Sequence, residues 1–311
     1  MRRENSGLTM IEILVVVGII AILVGILVPA VTMVQRMARE VKQKAQFTAI
    51  DLGLAAFRSD SGDYPPSNWW NPAVPAGPQD YCGAQKLAEA LLGWDLLGFH
   101  PDSAWRGDGL DAQGGATTYD PLKTLPAASR LDKRKDRYIE PETANVFRLG
   151  ESAPGLRDGL FVNTAPLARN TYVLCDVFEV PERRLQLSNG QMATPGTPIL
   201  YYRANPASKT IANTVIVEQR TYNMRDNLPL LDLRRLADTM RPLGERRFHP
   251  LDPLAPVEPW IPSPVDFYEY IRDPKVTSQP WPYKPDSYIL ISAGADGLYG
   301  TSDDIRNFGK R

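Results

Sequence analysis

From Leu8 to Val28 the chain reads LTMIEILVVVGIIAILVGILV, with Glu12 as the one charge. About 20 consecutive apolar residues cross a bilayer core as a helix, and a cleaved secretory signal has a shorter apolar core of roughly 7–15 residues followed by a small-x-small site. This run is longer and has no such site after it, so it predicts a membrane-spanning helix. No second apolar run of that length exists, which predicts a single-pass protein. A carboxylate in such a helix either snorkels to the headgroups or has a function.

Composition restricts the fold of the chain beyond this anchor. Lys plus Arg number 35 against 36 Asp plus Glu, a balance that argues against a nucleic-acid binder relying on bulk charge. There are 28 prolines in 311 residues, all but Pro29 lying from Pro65 to Pro285. That excludes an all-helical bundle and a doubly wound parallel sheet. Two cysteines exclude a disulfide scaffold; Cys82 and Cys175 either form one bond or stay free. There is no H-E-x-x-H, no G-x-S-x-G and no phosphate-binding glycine loop, and His100 and His249, each followed by proline, read as loop residues. The expectation is a protein that is not an enzyme.

Before the apolar run sits MRRENSG, and across the junction come Gly7, Leu8, Thr9, Met10, Ile11 and Glu12. A short basic leader, a glycine, Thr9, Glu12 and an unbroken apolar helix resemble the N-terminus of type IV prepilins and type II secretion pseudopilins. The resemblance covers roughly residues 4–35. It implies cleavage between Gly7 and Leu8 by a prepilin peptidase, methylation of the new amine, and polymerisation through the helix. Leu8 departs from the phenylalanine usual there, while Pro29 sits where the family has a helix-bending proline. The new amine on Leu8, one turn from Glu12, would neutralise that carboxylate in the same or the next subunit, because an unpaired buried charge is costly. Arg36, Arg39, Lys42 and Lys44 come after the helix, so a bare positive-inside count conflicts with the leader. The leader motif is taken to set the orientation, with the C-terminal part in the periplasm and the anchor in the bacterial inner membrane.

The helix is expected to continue past a bend at Pro29 to about Phe57, roughly 75 Å in all. Val31, Val34, Ala38, Val41, Ala45, Ala49, Leu52 and Ala56 form a stripe at helical spacing. That stripe predicts the face on which a globular head packs. Ser59-Asp60-Ser61-Gly62-Asp63-Tyr64-Pro65-Pro66 is a stop signal, and with Phe57 it resembles the F/Y-x-x-D-x-G-x-Y-P stretch of major pseudopilins. Beyond it, Ala84–Leu92 predicts a short amphipathic helix. Thr171–Phe178, Pro198–Arg203, Thr214–Gln219 and Tyr288–Ser292 predict strands of an antiparallel sheet, since no long crossover helices separate them. Phe267, Tyr268, Tyr270, Trp281 and Tyr283, joined by Trp260, predict a Pro-rich loop wrapped over the core. The alternating Asp132, Lys133, Arg134, Lys135, Asp136 and Arg137 predict a solvated loop. The fold class is α+β: a long transmembrane-plus-amphipathic helix packed on a small antiparallel sheet with long Pro-rich loops. The divisions are a leader at 1–7, a membrane half at 8–28, an amphipathic half at 29–58, a head with a large irregular insert at 59–285, and a C-terminal strand and loop at 286–311. Major pseudopilins are about half this size. Their D-P-W-G-x-P-Y segment has only a stretched echo here, in Asp176-Val177-Phe178 and the distant Gly196-Thr197-Pro198.

The C-terminal loop holds Gly294, Gly297 and Gly300 with Asp296, Asp303 and Asp304, and no basic residue from Leu290 to Ile305. It is either an acidic surface turn or a cation site. Calcium takes six to eight oxygens from carboxylates and carbonyls, and glycines let a backbone fold around it. The acids lack EF-hand spacing, but Gly-Ala-Asp-Gly followed by two acids resembles the calcium loop of major pseudopilins. That resemblance implies side-chain ligands Asp296, Asp303 and Asp304 and backbone carbonyls of Ala293 and Leu298. The combined reading is a type II secretion pseudopilin whose partners are prepilin peptidase, other pseudopilin subunits, and the inner-membrane assembly platform. A type IV pilin of a surface fibre and a signal-anchored periplasmic binding module are the alternatives.

Overall fold

A computed structural model describes residues 10–68, 81–112, 114–115, 118–121, 123, 126, 131–187, 189–255 and 265–309. It has two compact units, Met1–Lys42 and Gln43–Arg311. One helix, α1 (Met10–Ser61), runs without interruption through Pro29. The Thr32 hydroxyl donates to the Pro29 carbonyl at 2.8 Å, in a stretch where proline removes one main-chain donor. The first unit consists of the N-terminal part of this helix, and its apolar side chains from Met10 to Met37 are exposed.

In the second unit α1 contributes Gln43, Gln46, Phe47, Ile50, Gly53, Leu54 and Phe57 to the interior. This corrects the sequence expectation for the packed face. Val41 and Leu52 are 67% and 69% exposed, and Ala45 and Ala56 are not part of that interior set. The packed face includes two glutamines, whose amides satisfy backbone groups next to a strand. Gln46 Nε2 donates to the Ala144 and Cys175 carbonyls at 2.9 and 2.8 Å, and Gln43 Oε1 accepts from the Val177 amide at 2.9 Å. Gly53 permits close approach, since a Cβ there would lie 3.0 Å from Leu91 Cδ2 and 3.2 Å from the Tyr138 carbonyl oxygen.

The helix stops at the predicted signal. Gly62 adopts φ +84° and donates to the Arg58 carbonyl at 2.8 Å. Tyr64 then packs edge-on against Tyr288 at 4.8 Å, and the Pro65 carbonyl accepts from the Tyr201 hydroxyl at 2.7 Å. The stop segment therefore ties the helix end to the sheet.

Among the described residues seven strands form antiparallel ladders: β1 (Val146–Arg148), β2 (Tyr172–Leu174), β3 (Leu185–Gln186), β4 (Met192–Ala193), β5 (Leu200–Arg203), β6 (Tyr288–Ser292) and β7 (Ile305–Arg306). The central sheet has the order β5-β6-β7, with Leu200 opposite Ile291, Arg203 opposite Tyr288, and Ser292 opposite Ile305. β1 pairs with β2, and a bridge between Cys175 and Pro198 joins that pair to the β5 side. Leu174 and Ile199 share a main-chain bond of 2.7 Å at this junction. The expected α+β class with a small antiparallel sheet is the one observed. The segment Thr214–Gln219 is not a strand: Val217–Gln219 is a 3₁₀ turn and Ile216 is 60% exposed. Three small elements carried no clear sequence signal: β1, the β3–β4 hairpin and β7.

The second helix, α2 (Gly83–Leu92), is buried at every residue rather than amphipathic. Its polar side chains are taken up internally. Gln85 accepts from the Cys82 amide at 2.8 Å and donates to Thr171 Oγ1 at 2.6 Å, Lys86 donates to the Asn68 carbonyl at 2.5 Å, and Glu89 accepts from Ser103. Phe47, Ile50 and Leu54 of α1, Leu87 and Leu91 of α2, Tyr201 and Leu290 of the sheet, and Ile199 just before β5 share one core. Cys82 and Cys175 are free and buried, with burial pushing the Cys82 thiol up to about 11. Arg134 departs from the expected solvated loop. Its side chain is only 3% exposed, pairs with Asp95 and lies over the Tyr119 ring. Of the expected aromatic wrap, Phe267 and Tyr268 are buried and Trp281 is half-buried, while Trp260 lies outside the described residues.

Candidate functional site

The sequence singles out two places, the N-terminal helix and the C-terminal loop. Gly7 and Leu8, the expected processing pair, lie outside the described residues. Glu12 stands in the first described turn of α1, exposed among Met10, Ile11 and Ile13 at 84%, 75% and 52%. Among the described residues α1 is the one helix long and apolar enough to cross a membrane. Farther along, α1 has two apolar faces. Phe47, Ile50, Leu54 and Phe57 are covered by the globular unit, whereas Val41, Leu52 and Ala56, on another side of the helix, are open.

The C-terminal loop connects β6 to β7. Gly294, Gly297 and Gly300 all have positive φ, and a Cβ on Gly294 would lie 2.4 Å from the Asp303 carbonyl oxygen. The loop thus doubles back on itself at a point only glycine fits. Asp303 accepts from the Asp296 amide at 3.0 Å and from Thr301 Oγ1 at 2.6 Å, while Asp296 accepts from the Leu298 amide at 2.7 Å. Asp304 turns inward, accepting from the Gly300 amide at 2.8 Å and from the Tyr270 hydroxyl. Burial, then the Asp303 charge against the relief given by the Leu298 amide, push Asp296 up to about 6. Burial pushes Asp304 up to about 7. Asp303 is held below its usual range because hydrogen bonds from Thr301 and Asp296 outweigh its burial.

Two segments of the insert, absent from the sequence-based site, brace this loop. Arg235 Nε donates to the Asp296 carbonyl at 2.6 Å. The Leu251 amide donates to the Tyr299 carbonyl at 3.0 Å, and the Tyr299 amide to His249 Nδ1 at 3.3 Å. Burial drives His249 down to about 3, so it serves as a neutral acceptor. The pattern that marks this segment, arginines interspersed with prolines, carries no spacing signal of its own.

All the donors the loop presents to a cation are oxygens, the chemistry of calcium rather than of a softer metal. Oδ1 of Asp304 is buried without a hydrogen-bond partner, an acceptor position left open. Among the described residues, no three His, Cys, Asp or Glu side chains gather as a metal-holding group, so an ion here would rely on carbonyls, those of Ala293 and Leu298 included, as much as on carboxylates. Leu298 and Ala293 are buried, and the Leu298 carbonyl accepts from Thr301 Oγ1 at 3.3 Å.

The family model for the prokaryotic N-terminal methylation motif matches residues 2–28. Neither a curated protein nor a solved structure matches the chain. The matched residues contain the arginines of the basic leader, Gly7, Leu8, Glu12 and the whole apolar run, so the chain carries the N-terminal segment of the type IV pilin-like and pseudopilin proteins.

Proposed function

We propose that the protein is a non-catalytic pseudopilin subunit of a type II secretion system. It is stored in the inner membrane with its globular part in the periplasm, processed by prepilin peptidase at Gly7–Leu8, and assembled with other pseudopilins on the inner-membrane platform. The methylation motif carries this reading. The two-faced α1 supports it: a helix whose apolar residues are open on the side away from its own core is built to pack against another helix. The motif serves surface pili equally. What favours the secretion apparatus is the acidic glycine loop after β6, which we assign to calcium through Asp296, Asp303 and Asp304 with carbonyl help from Ala293 and Leu298.

Intact-mass spectrometry of the membrane-extracted protein tests the processing. The mature chain should begin at Leu8 with one added methyl, and a chain beginning at Met1 or beyond Pro29 sinks the pilin reading. Deletion of the gene then separates the two apparatuses. Loss of protein export with normal surface fibres supports the pseudopilin, and loss of fibres with normal export supports the pilin.

A further inference from the structure

The basic residues beyond the apolar run are unexplained by a leader-based orientation, which places them on the side a positive-inside count disfavours. We infer that Arg36, Arg39 and Lys42 bind the phosphodiester headgroups of anionic phospholipids in the leaflet where the helix leaves the membrane, fixing the depth of the stored subunit. This rests on the membrane-anchored reading above.

Length comes first. Between Glu12 and Arg36 the helix has no charge, and Ile13–Gln35 at 1.5 Å per residue spans about 35 Å. The hydrocarbon core is about 30 Å thick, with a headgroup layer several Å deep on each side. When Glu12 stands at one interface, Arg36 reaches the other, and Lys42 is about 9 Å farther along the axis.

The second observation is the pattern beyond that point. Arg36, Arg39 and Lys42 recur every three residues and share one side of α1. Met33, Val34, Met37 and Val41 occupy the same turns on the other side of the helix, 66%, 65%, 56% and 67% exposed. A stretch both cationic and apolar, with neither kind of side chain covered, matches the boundary between acyl chains and headgroups. There the long stems of Arg and Lys lie along apolar surface while their charges reach phosphate. Glu40 is the one acid among them, and its 3.4 Å pair occupies only Arg36, whose own side chain stays 62% exposed. The local balance stays positive, and the partner it complements is an anionic surface.

The test uses the full-length chain in bilayers containing spin-labelled phosphatidylglycerol or phosphatidylcholine, reading the motion-restricted fraction of each. Phosphatidylglycerol should be favoured about fivefold at low salt, the ratio set by one cation near an anionic surface. The ratio should fall toward unity at 0.5 M salt and in the triple variant Arg36→Gln, Arg39→Gln, Lys42→Gln, and should rise in Glu40→Gln. Parity in the unaltered protein, or a preference that survives the triple variant, overturns the inference. So does a preference that appears only at high protein density, which assigns the cations to packing between subunits. Carbonate extraction of each variant reads the anchor separately. Loss of the unaltered protein from the membrane pellet refutes the anchored reading itself, while retention with lipid parity refutes only the headgroup site.

Discussion

The carboxylate of Asp176 accepts the main-chain N–H of Thr197 at 3.0 Å, although the two are 21 positions apart. The Asp176 amide returns a 2.8 Å bond to the Thr197 carbonyl, and the other carboxylate oxygen accepts from Ser292 Oγ at 2.8 Å. Residues 177–196, with the β3–β4 hairpin, are therefore an excursion closed at its base by one aspartate. The stretched D-x-x…G-T-P echo in the sequence is a single junction in space, and its third partner is the last residue of β6.

Asp176 makes this junction pH-sensitive. Burial pushes it up to about 8, against about 3.9 in an unfolded chain. The folded state then holds the proton more tightly, so the associated stability is complete below about pH 4 and is lost as pH rises toward 8. Asp176→Asn keeps an acceptor for Thr197 and carries no charge. Its melting temperature relative to the unaltered protein should climb between pH 4 and pH 9. A constant difference across that range would mean the group is ionised throughout.

Gly294→Ala should destabilise the protein by about 1–3 kcal/mol, because it adds both a positive-φ penalty and a clash with the Asp303 carbonyl. Gly190 has φ +81° and open space around its missing Cβ, so Gly190→Ala should be the milder of the two. Urea unfolding of both variants checks the order.

Calcium should raise the melting temperature of the full-length protein in detergent over that in excess chelator. A ligand bound to the folded state alone adds about 2.7 kcal/mol at a hundredfold excess over Kd. Asp303→Ala and Asp304→Ala should largely abolish the shift, and magnesium, which demands tighter octahedral geometry, should replace calcium poorly. Identical melts in calcium and chelator would leave the loop an acidic turn held by Arg235, His249 and Leu251.

Glu12→Ala should insert and be processed normally, yet fail to cross-link into multimers in cells. On the proposed processing, the new amine of Leu8 is four positions before the carboxylate, and the variant would lose that pairing while leaving the globular unit unaltered. Fibres of normal length from this variant would show the pair to be dispensable.

The sequence by itself determined the anchor, the processing motif, the helix stop at Gly62, the central strand Tyr288–Ser292 and the glycine-acid loop. Each is a local property: apolar length, a fixed spacing of glycine and acid, or a residue suited to positive φ. Only the tertiary structure decided which side of α1 is covered. The periodic stripe through Val41, Leu52 and Ala56 is a fair sign of apolar surface, but the side that packs contains Gln43 and Gln46, whose amides pair with main-chain groups of Ala144, Cys175 and Val177. Those partners are about a hundred residues or more away, as the 98 positions between Gln46 and Ala144 show, and no helical periodicity encodes them. The same holds for the buried polar face of α2, for Arg235 and His249 at the C-terminal loop, and for Asp176. A polar side chain reads as surface in a sequence, and becomes interior only when a distant backbone group arrives to satisfy it.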